Sequence, residues 1–153
     1  MVAVYPIRSL NGIREHLIIK KADVAYNWQC VTGKIRKNEL PENAARRELL
    51  EETSYQTNIL IPFNFDNNFI VDDETVGDRD DEFYEKLMKT TKVIVFIAII
   101  ENKKDPILNP EEHTDWMWCD FDSAYDKIKW SIEKKQLRLI REWLDNNYNL
   151  SNS

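Results

Sequence analysis

Three glutamates stand close together in the segment RELLEE, at positions 48, 51 and 52. Successive residues of an α-helix turn by about 100°, so Glu48, Glu51 and Glu52 would project from one helix face. Like charges at this spacing repel by roughly a few tenths of a kcal/mol. A hard divalent cation such as Mg²⁺, or Mn²⁺ in its place, prefers oxygen ligands and would remove that repulsion. The spacing therefore predicts a metal site, with a solvated acidic helix face as the alternative.

Two neighbouring features favour the metal site over the solvated face. Arg47 directly precedes Glu48 and lies four residues before Glu51, where it can balance part of the charge. The helix also follows a loop that starts at Gly33, and a loop of this kind can supply a backbone carbonyl as a further oxygen ligand. We therefore expect Gly33 to lie beside the glutamates.

The elements that would position these residues follow from the residue pattern. Residues 41–53 are predicted to be a helix, because Pro41 suits a first-turn position and strong helix formers follow it. Apolar and β-branched runs predict strands over residues 2–7, 16–19, 27–31, 55–62, 92–101 and 114–119. Further helices are predicted over residues 122–129 and 131–147, and residues 64–79 are predicted to be mostly loop. A single domain over residues 1–153, with a mixed sheet flanked by helices, is the expected class.

Composition and charge narrow the classes of partner. The 153 residues carry a net charge of -6 and the pI is about 5.0, which argues against a general nucleic-acid or anionic-membrane surface. We expect no signal peptide and no membrane span, because the apolar runs are too short. A cytoplasmic location is therefore expected. Cys30 and Cys119 are far apart, and buried free thiols are favoured over a disulfide.

The segment GKIRKNELPENAARRELLEETSY, residues 33–55, carries a resemblance that extends beyond the three glutamates. The chain resembles the Nudix hydrolases, whose signature is G-x5-E-x7-R-E-U-x-E-E-x-G-U, where U is an aliphatic residue. Six fixed positions of that signature are matched in spacing and type by Gly33, Glu39, Arg47, Glu48, Glu51 and Glu52. A gapped signature of this length is far more specific than a short glycine motif.

Two positions depart from the signature. Ser54 stands where the family has the glycine that ends the helix in a left-handed conformation, so we expect some cost in stability or a different chain exit. Tyr55 stands where the family has an aliphatic residue. Neither position is a metal ligand, so the chemistry is little affected. Asn38 suits the tight turn before Glu39, because asparagine tolerates positive φ.

The resemblance implies a fold, a set of roles and a reaction. The fold would be the Nudix fold, an α/β/α sandwich around a mixed sheet. The three signature glutamates and the Gly33 carbonyl would hold Mg²⁺, while Glu39 and Arg47 would brace the loop against the helix. Water would attack a phosphorus atom of a nucleoside triphosphate or a related nucleoside diphosphate derivative and cleave a diphosphate linkage. A carboxylate would take the proton of that water.

A weaker resemblance lies outside the signature. The segments NWQCVTGKI and EEHTDWMW are similar to parts of the bacterial dihydroneopterin triphosphate pyrophosphatases, in which the glutamate before the histidine helps to hold the metal. That implies a metal-binding role for Glu112, with a surface-turn acid as the alternative. His113 by itself is more often structural or solvated than catalytic. The chain lacks the N-x-E element of that subgroup before its apolar strand, so dihydroneopterin triphosphate is only one candidate substrate.

Aromatic side chains could stack on the base or pterin of such a substrate. Trp28, Tyr84 and Trp130 are the candidates, because they lie near the edges of predicted loops. Trp116 and Trp118 alternate along a predicted strand and share one face, for which core packing is favoured.

Two other functions stay open at this point. A catalytically inactive Nudix-fold module that binds nucleotides or regulates would not need the full set of glutamates with Arg47, which speaks against it. An isomerase of isoprenoid diphosphates would need a catalytic cysteine, and Cys30 lies just before the loop. A small nucleotide-type molecule is the expected partner, and the sequence is also compatible with a homodimer.

Overall fold

The structure, a computed structural model, describes residues 1–22, 26–63 and 93–148. Its first two strands, β1 (Val2–Leu10) and β2 (Ile13–Lys21), form an antiparallel hairpin. The residues between them, Asn11 and Gly12, have φ values of 53° and 79°. Asparagine and glycine tolerate positive φ, and turns of this kind match the twist of the two strands. Both predicted strands are present, and they extend further toward the turn than the apolar pattern indicated.

The described residues form one mixed sheet of seven strands. The other strands are β3 (Trp28–Gln29), β4 (Val31–Gly33), β5 (Ile59–Phe63), β6 (Ile94–Ile99) and β7 (His113–Cys119). Strand β1 pairs in parallel with β6 and antiparallel with β4 and β2, which share its other edge. Strand β6 also pairs with β5, and β2 pairs with β3 and β7. Along that edge, β4 pairs with the beginning of β1 and β2 with its end, so the sheet splits between β4 and β2.

Helices cover both faces of this sheet. Helix α1 (Pro41–Thr53) lies on one face, and α2 (Phe121–Lys127) and α3 (Ser131–Asn147) lie on the other. Alternate residues of β1 point to opposite faces: Val2 and Val4 belong to the α1-side core, and Ala3, Tyr5 and Ile7 belong to the α3-side core. The helices add Ala44, Ala45 and Leu49 on one side and Leu137, Ile140 and Leu144 on the other. The expected α/β/α arrangement is confirmed.

Two strand predictions were wrong in their bounds. Residues 27–31 form two short strands instead of one, because the backbone N–H of Cys30 leaves the ladder and donates to Glu133 Oε1 at 2.8 Å. The strand predicted over residues 55–62 begins only at Ile59. Before it, the Thr57 hydroxyl accepts a hydrogen bond from the Ile59 N–H, and such side-chain bonds to the backbone compete with strand pairing.

Other expectations concern burial. Cys30 and Cys119 are free and buried, as predicted. Trp118 is buried in the α1-side core and Trp116 packs against it, so core packing is confirmed for this pair. The predicted loop at 64–79 and Tyr84 lie outside the described residues. Within the described ranges, no helix combines the length and the apolar character that a membrane crossing requires.

Candidate active site

Arg47 clamps the loop that follows β4 onto helix α1. Its guanidinium donates to both carboxylate oxygens of Glu39, at 2.8 and 2.9 Å, and to the carbonyl oxygen of Lys34 at 2.8 Å. The backbone N–H of Arg36 also donates to Glu39, at 3.0 Å. These hydrogen bonds, with that of Arg47 first, lower the pKa of Glu39 to about 2. A two-pronged pair of this type fixes orientation as well as distance.

The positive φ of 63° at Asn38 allows the tight turn that brings Glu39 back toward the helix. At the other end of α1, Ser54 takes the left-handed conformation with φ 65° and ψ 12°, and its N–H donates to Leu50 O at 2.8 Å. The Ser54 hydroxyl donates to Ile107 O at 3.1 Å. Serine therefore ends the helix in the geometry for which the family uses glycine, and its hydroxyl adds a contact that glycine lacks.

The three signature glutamates have different surroundings. Glu51 is about half exposed, and its carboxylate lies 3.3 Å from Arg47 and 3.6 Å from Arg36. Glu48 is partly buried and accepts a hydrogen bond from Arg47 Nη1 at 2.8 Å. Glu52 is only 4% exposed. The helix face thus runs from a solvated, ion-paired carboxylate to a buried one.

Glu52 carries the least satisfied charge of this group. Its Oε2 has no hydrogen-bond partner among the residues that the structure describes. Burial, followed by the nearby charges of Glu48, Glu112 and Glu51, raises the pKa of Glu52 to about 9. A hydrogen bond from the Thr32 backbone offsets only part of this cost, so a proton or a bound cation must accompany the buried carboxylate.

Gly33 allows Glu48 to reach this position. A Cβ atom at Gly33 would lie 2.0 Å from Glu48 Cδ and 2.1 Å from Glu48 Oε1, which is far inside any allowed contact. The φ of Gly33 is not positive, so the requirement here is close approach and not backbone conformation. The carboxyl group of Glu48 therefore lies directly against the backbone at the end of β4.

Glu112 and His113 approach the same point from the opposite side. The carbonyl oxygen of Asn109 accepts from the N–H groups of both residues, at 3.1 and 2.9 Å, and the N–H of Ala22 donates to Glu112 O at 2.9 Å. One potential ligand atom from each of Glu52, Glu112 and His113 lies within 4.8 Å of the others. The structure thus brings Glu112 to the buried signature glutamate, although the two are 60 positions apart in sequence.

A cavity of about 510 Å³ opens at this cluster. Its described lining residues are Lys21, Gln29, Thr32, Gly33, Lys34, Glu48, Glu52, Glu111, Glu112 and His113. Trp28 packs instead against the α3-side core, and Trp130 immediately precedes α3. Neither lines the cavity, and Glu51 is also absent from its described lining. Sequence reasoning did not select Lys21, Lys34 or Gln29, and it favoured a structural or solvated role for His113. Gln29 lies inside a predicted strand and the other three lie near the ends of predicted strands.

The residues around the cavity suit a divalent cation. An orphaned carboxylate oxygen on Glu52, the Glu48 carboxyl held beside Gly33, and the nearby Glu112 give a set of oxygen atoms with excess negative charge. Oxygen-rich sets with two or three carboxylates are what hard divalent cations prefer. The two lysines at the rim would favour the phosphate groups of a ligand.

The metal-free protein is expected to lose stability as the pH rises. The pKa of Glu52 is about 9 in the folded protein, against 4.5 for an ordinary glutamate. A carboxyl group with a raised folded pKa stabilises the fold below its unfolded pKa, and this contribution is lost as the pH rises through the folded value. Thermal unfolding in a chelator should therefore show a Tm that falls between pH 4.5 and about 9. Glu52→Gln should flatten this slope; an equal slope in both proteins would assign the effect to other groups.

Comparison with known proteins assigns the chain to a family. The chain matches the NUDIX domain family over residues 2–141. No curated protein matched the chain. In structure, the chain is similar to a C. elegans Ap4A hydrolase solved as a binary complex, with a TM-score of 0.70 and 22% identity over 95% of this chain and 98% of that one.

Two further solved structures share the fold at lower identity. The NUDIX domain of Shewanella oneidensis NrtR, solved with ADP ribose, has a TM-score of 0.67 and 13% identity over 94% of this chain and 86% of that one. The E. coli dihydroneopterin triphosphate pyrophosphohydrolase has a TM-score of 0.60 and 17% identity over 90% of this chain and 91% of that one. The Nudix fold expected from the signature is confirmed. Because the family match spans most of its length, the protein belongs to the NUDIX domain family.

Proposed function

We propose that the protein is a Mg²⁺-dependent hydrolase, able to use Mn²⁺, that cleaves a diphosphate linkage in a nucleoside triphosphate or a related nucleoside diphosphate compound. The observation that carries this proposal is Glu52, a buried carboxylate with an unpartnered oxygen that lines the cavity shared with Glu48 and Glu112. In this proposal the metal ligands are Glu48, Glu52, Glu112 and the Gly33 carbonyl, with Glu51 completing the set at the exposed edge.

The chemistry divides between the cation and the chain. When bound, the cation neutralises phosphate charge and lowers the pKa of a bound water. Lys21 and Lys34 attract the phosphate groups to the rim of the cavity. A carboxylate of the cluster accepts the proton as the water oxygen bonds to phosphorus and the bridging P–O bond breaks. Arg47 and Glu39 hold the loop after Gly33 so that the carboxylates and the carbonyl keep their spacing.

A substrate panel with identified products tests this function. The panel contains common and oxidised nucleoside triphosphates, dinucleoside polyphosphates, nucleotide sugars and dihydroneopterin triphosphate, each with Mg²⁺, with Mn²⁺ and with a chelator. Hydrolysis in ¹⁸O-labelled water should put one labelled oxygen on phosphorus and require the metal. Tight binding of a nucleotide with no turnover of any panel member would favour the inactive binding module.

Dinucleoside polyphosphates and dihydroneopterin triphosphate are the two compounds that the panel should rank first. Two proteins of similar fold are an Ap4A hydrolase and a dihydroneopterin triphosphate pyrophosphohydrolase, and the W-Q-x-V-T-G and E-H segments favour the second substrate. Trp28, Tyr84 and Trp130 stay as proposed stacking residues. Trp28 and Trp130 lie outside the described cavity lining. Either could stack on a substrate only if the substrate extends beyond Lys21 and Lys34.

Glu112→Gln is expected to reduce turnover strongly and to change thermal stability little. Glu112 is exposed and contributes nothing to the apolar cores, but its carboxylate lies at the Glu52 cluster. Surface substitutions elsewhere stay within about 0.5 kcal/mol of the wild-type stability. Steady-state rates and thermal melts of Glu112→Gln and of its exposed neighbour Glu111→Gln form a matched pair. A normal rate for Glu112→Gln with an impaired rate for Glu111→Gln would contradict this prediction and assign the catalytic role to Glu111.

A further inference from the structure

The cluster at the bottom of the cavity is not made of oxygen ligands alone. Glu52 comes from α1, Glu112 from the turn before β7, and His113 is the first residue of β7. One potential ligand atom from each lies within 4.8 Å of the others. Of these three side chains, only His113 can offer nitrogen.

Burial shows that this arrangement is built into the fold and is not a chance meeting of surface side chains. His113 is 2% exposed and Glu52 is 4% exposed. Both line the cavity, and Oε2 of Glu52 has no partner among the described residues. A buried carboxylate oxygen without a partner, next to a buried imidazole, is a pair that a cation would satisfy from the cavity side.

A fourth side chain is placed to orient the imidazole. The side-chain amide of Gln29, in β3, lies 3.4 Å from Nε2 of His113. The oxygen and nitrogen of an amide exchange places when the group turns over, so Gln29 can accept a hydrogen bond from this ring nitrogen as well as donate one to it. In metal sites, a hydrogen bond at one ring nitrogen fixes the tautomer and leaves the lone pair of the other for the metal.

We propose that His113 is a nitrogen ligand of the cation held by Glu52 and Glu112, oriented by Gln29, so that this position binds a transition metal such as Mn²⁺, Co²⁺ or Zn²⁺ more tightly than Mg²⁺. The inference deepens the proposed function and rests on it. Mg²⁺ takes oxygen ligands in a strict octahedral geometry, whereas imidazole suits the later first-row metals. One nitrogen among the ligands therefore shifts the metal preference of the site from Mg²⁺ toward the later first-row metals.

The chain carries two histidines, which makes a direct spectroscopic test feasible. His16 is also 2% exposed, but it lies on β2 with its ring against Phe121 at a centroid distance of 6.1 Å, on the α3 side of the sheet. Untagged wild-type protein with ¹⁵N-labelled histidine is titrated with Zn²⁺ alone. The ring nitrogens of His113 should shift and those of His16 should not, with assignment from His16→Gln. Unchanged His113 nitrogens at saturating Zn²⁺ would overturn the proposal without any site variant.

Calorimetric titration separates nitrogen ligation from general damage. Co²⁺ and Mg²⁺ are titrated separately into the wild type, His113→Gln and the matched control His16→Gln. We expect His113→Gln to weaken Co²⁺ binding by at least about 10-fold, because the loss of even an outer-shell partner of a metal ligand costs that much, and to affect Mg²⁺ much less. Equal weakening of both metals would indicate a structural role and overturn the proposal. His16→Gln should leave both affinities unchanged.

The two proposals fail in different ways. Unchanged Co²⁺ affinity in His113→Gln, together with normal Mg²⁺-dependent hydrolysis, would remove the nitrogen ligand and leave the hydrolase standing. Zn²⁺-dependent shifts at His113 in a protein that hydrolyses no member of the substrate panel would support the metal site and overturn the proposed function alone.

Discussion

Glu52→Gln is expected to lower turnover by roughly 10³-fold while the protein stays folded. Loss of a direct metal ligand removes charge stabilisation of the transition state worth several kcal/mol. Each increase of about 1.4 kcal/mol in the activation free energy lowers the rate tenfold. Glutamine has nearly the same shape, so Leu49 and the other apolar residues of α1 keep their packing. The measurement is the rate at saturating Mg²⁺ on the best substrate of the panel.

Thermal melts of the same variant give a second readout. Mg²⁺ or Mn²⁺ should raise the Tm of the wild type, because a ligand that binds only the folded state stabilises it by mass action. The rise should be absent in Glu52→Gln. Glu42→Gln is the matched control, since Glu42 is exposed in the first turn of α1 and pairs with Arg46. Wild-type turnover by Glu52→Gln, or a full metal-induced rise, would refute the role of Glu52.

Gly33→Ala is expected to reduce activity by about 10²-fold or more, although it adds a single methyl group far smaller than the cavity. That methyl group would lie 2.0 Å from Glu48 Cδ, so the carboxyl group must move. A displacement of about 1 Å in a catalytic group can cost about 10²-fold in rate. Because the end of a side chain can rotate away more easily than a backbone, the loss of stability should be smaller than the loss of rate.

A double variant separates this steric effect from a backbone effect. Glu48→Asp shortens the side chain by one carbon, so combining it with Gly33→Ala should recover the Tm but not the rate. Gly12→Asn serves as a control, because Gly12 has open space around its α-carbon and asparagine tolerates its φ of 79°. A Gly33→Ala protein that keeps the full rate would show that the Glu48 carboxyl group does not need its place beside β4.

The two long helices were predictable because their signals are local. Pro41 at the first turn and the amphipathic pattern of residues 131–147 gave the observed bounds of α1 and α3. The break between β3 and β4 was not predictable, because it depends on a hydrogen bond from Cys30 to Glu133, 103 positions away. Local propensity carries no information about such a partner.

The candidate site divides in the same way. The positions of Glu39, Arg47, Glu48 and Glu52 follow from spacing along one loop and one helix. Gln29 and His113 meet only because β3 and β7 both pair with β2, and the sequence does not show that pairing. Trp28 illustrates the converse. It neighbours Gln29, but successive strand residues point to opposite faces, so its ring packs on the α3 side.

The end of α1 has a consequence for how the site is assembled. Ser54 Oγ bonds to Ile107 O, and the Ile107 N–H bonds to Thr53 O at 2.9 Å, so the chain is fastened to the helix five positions before Glu112. Without this fastening, Glu112 would follow the end of β6 by a loop of about thirteen residues, and the effective concentration of Glu112 at Glu52 falls as such a tether lengthens. The short tether keeps that effective concentration high. Two distant stretches of sequence therefore present themselves to a cation as one preassembled chelator.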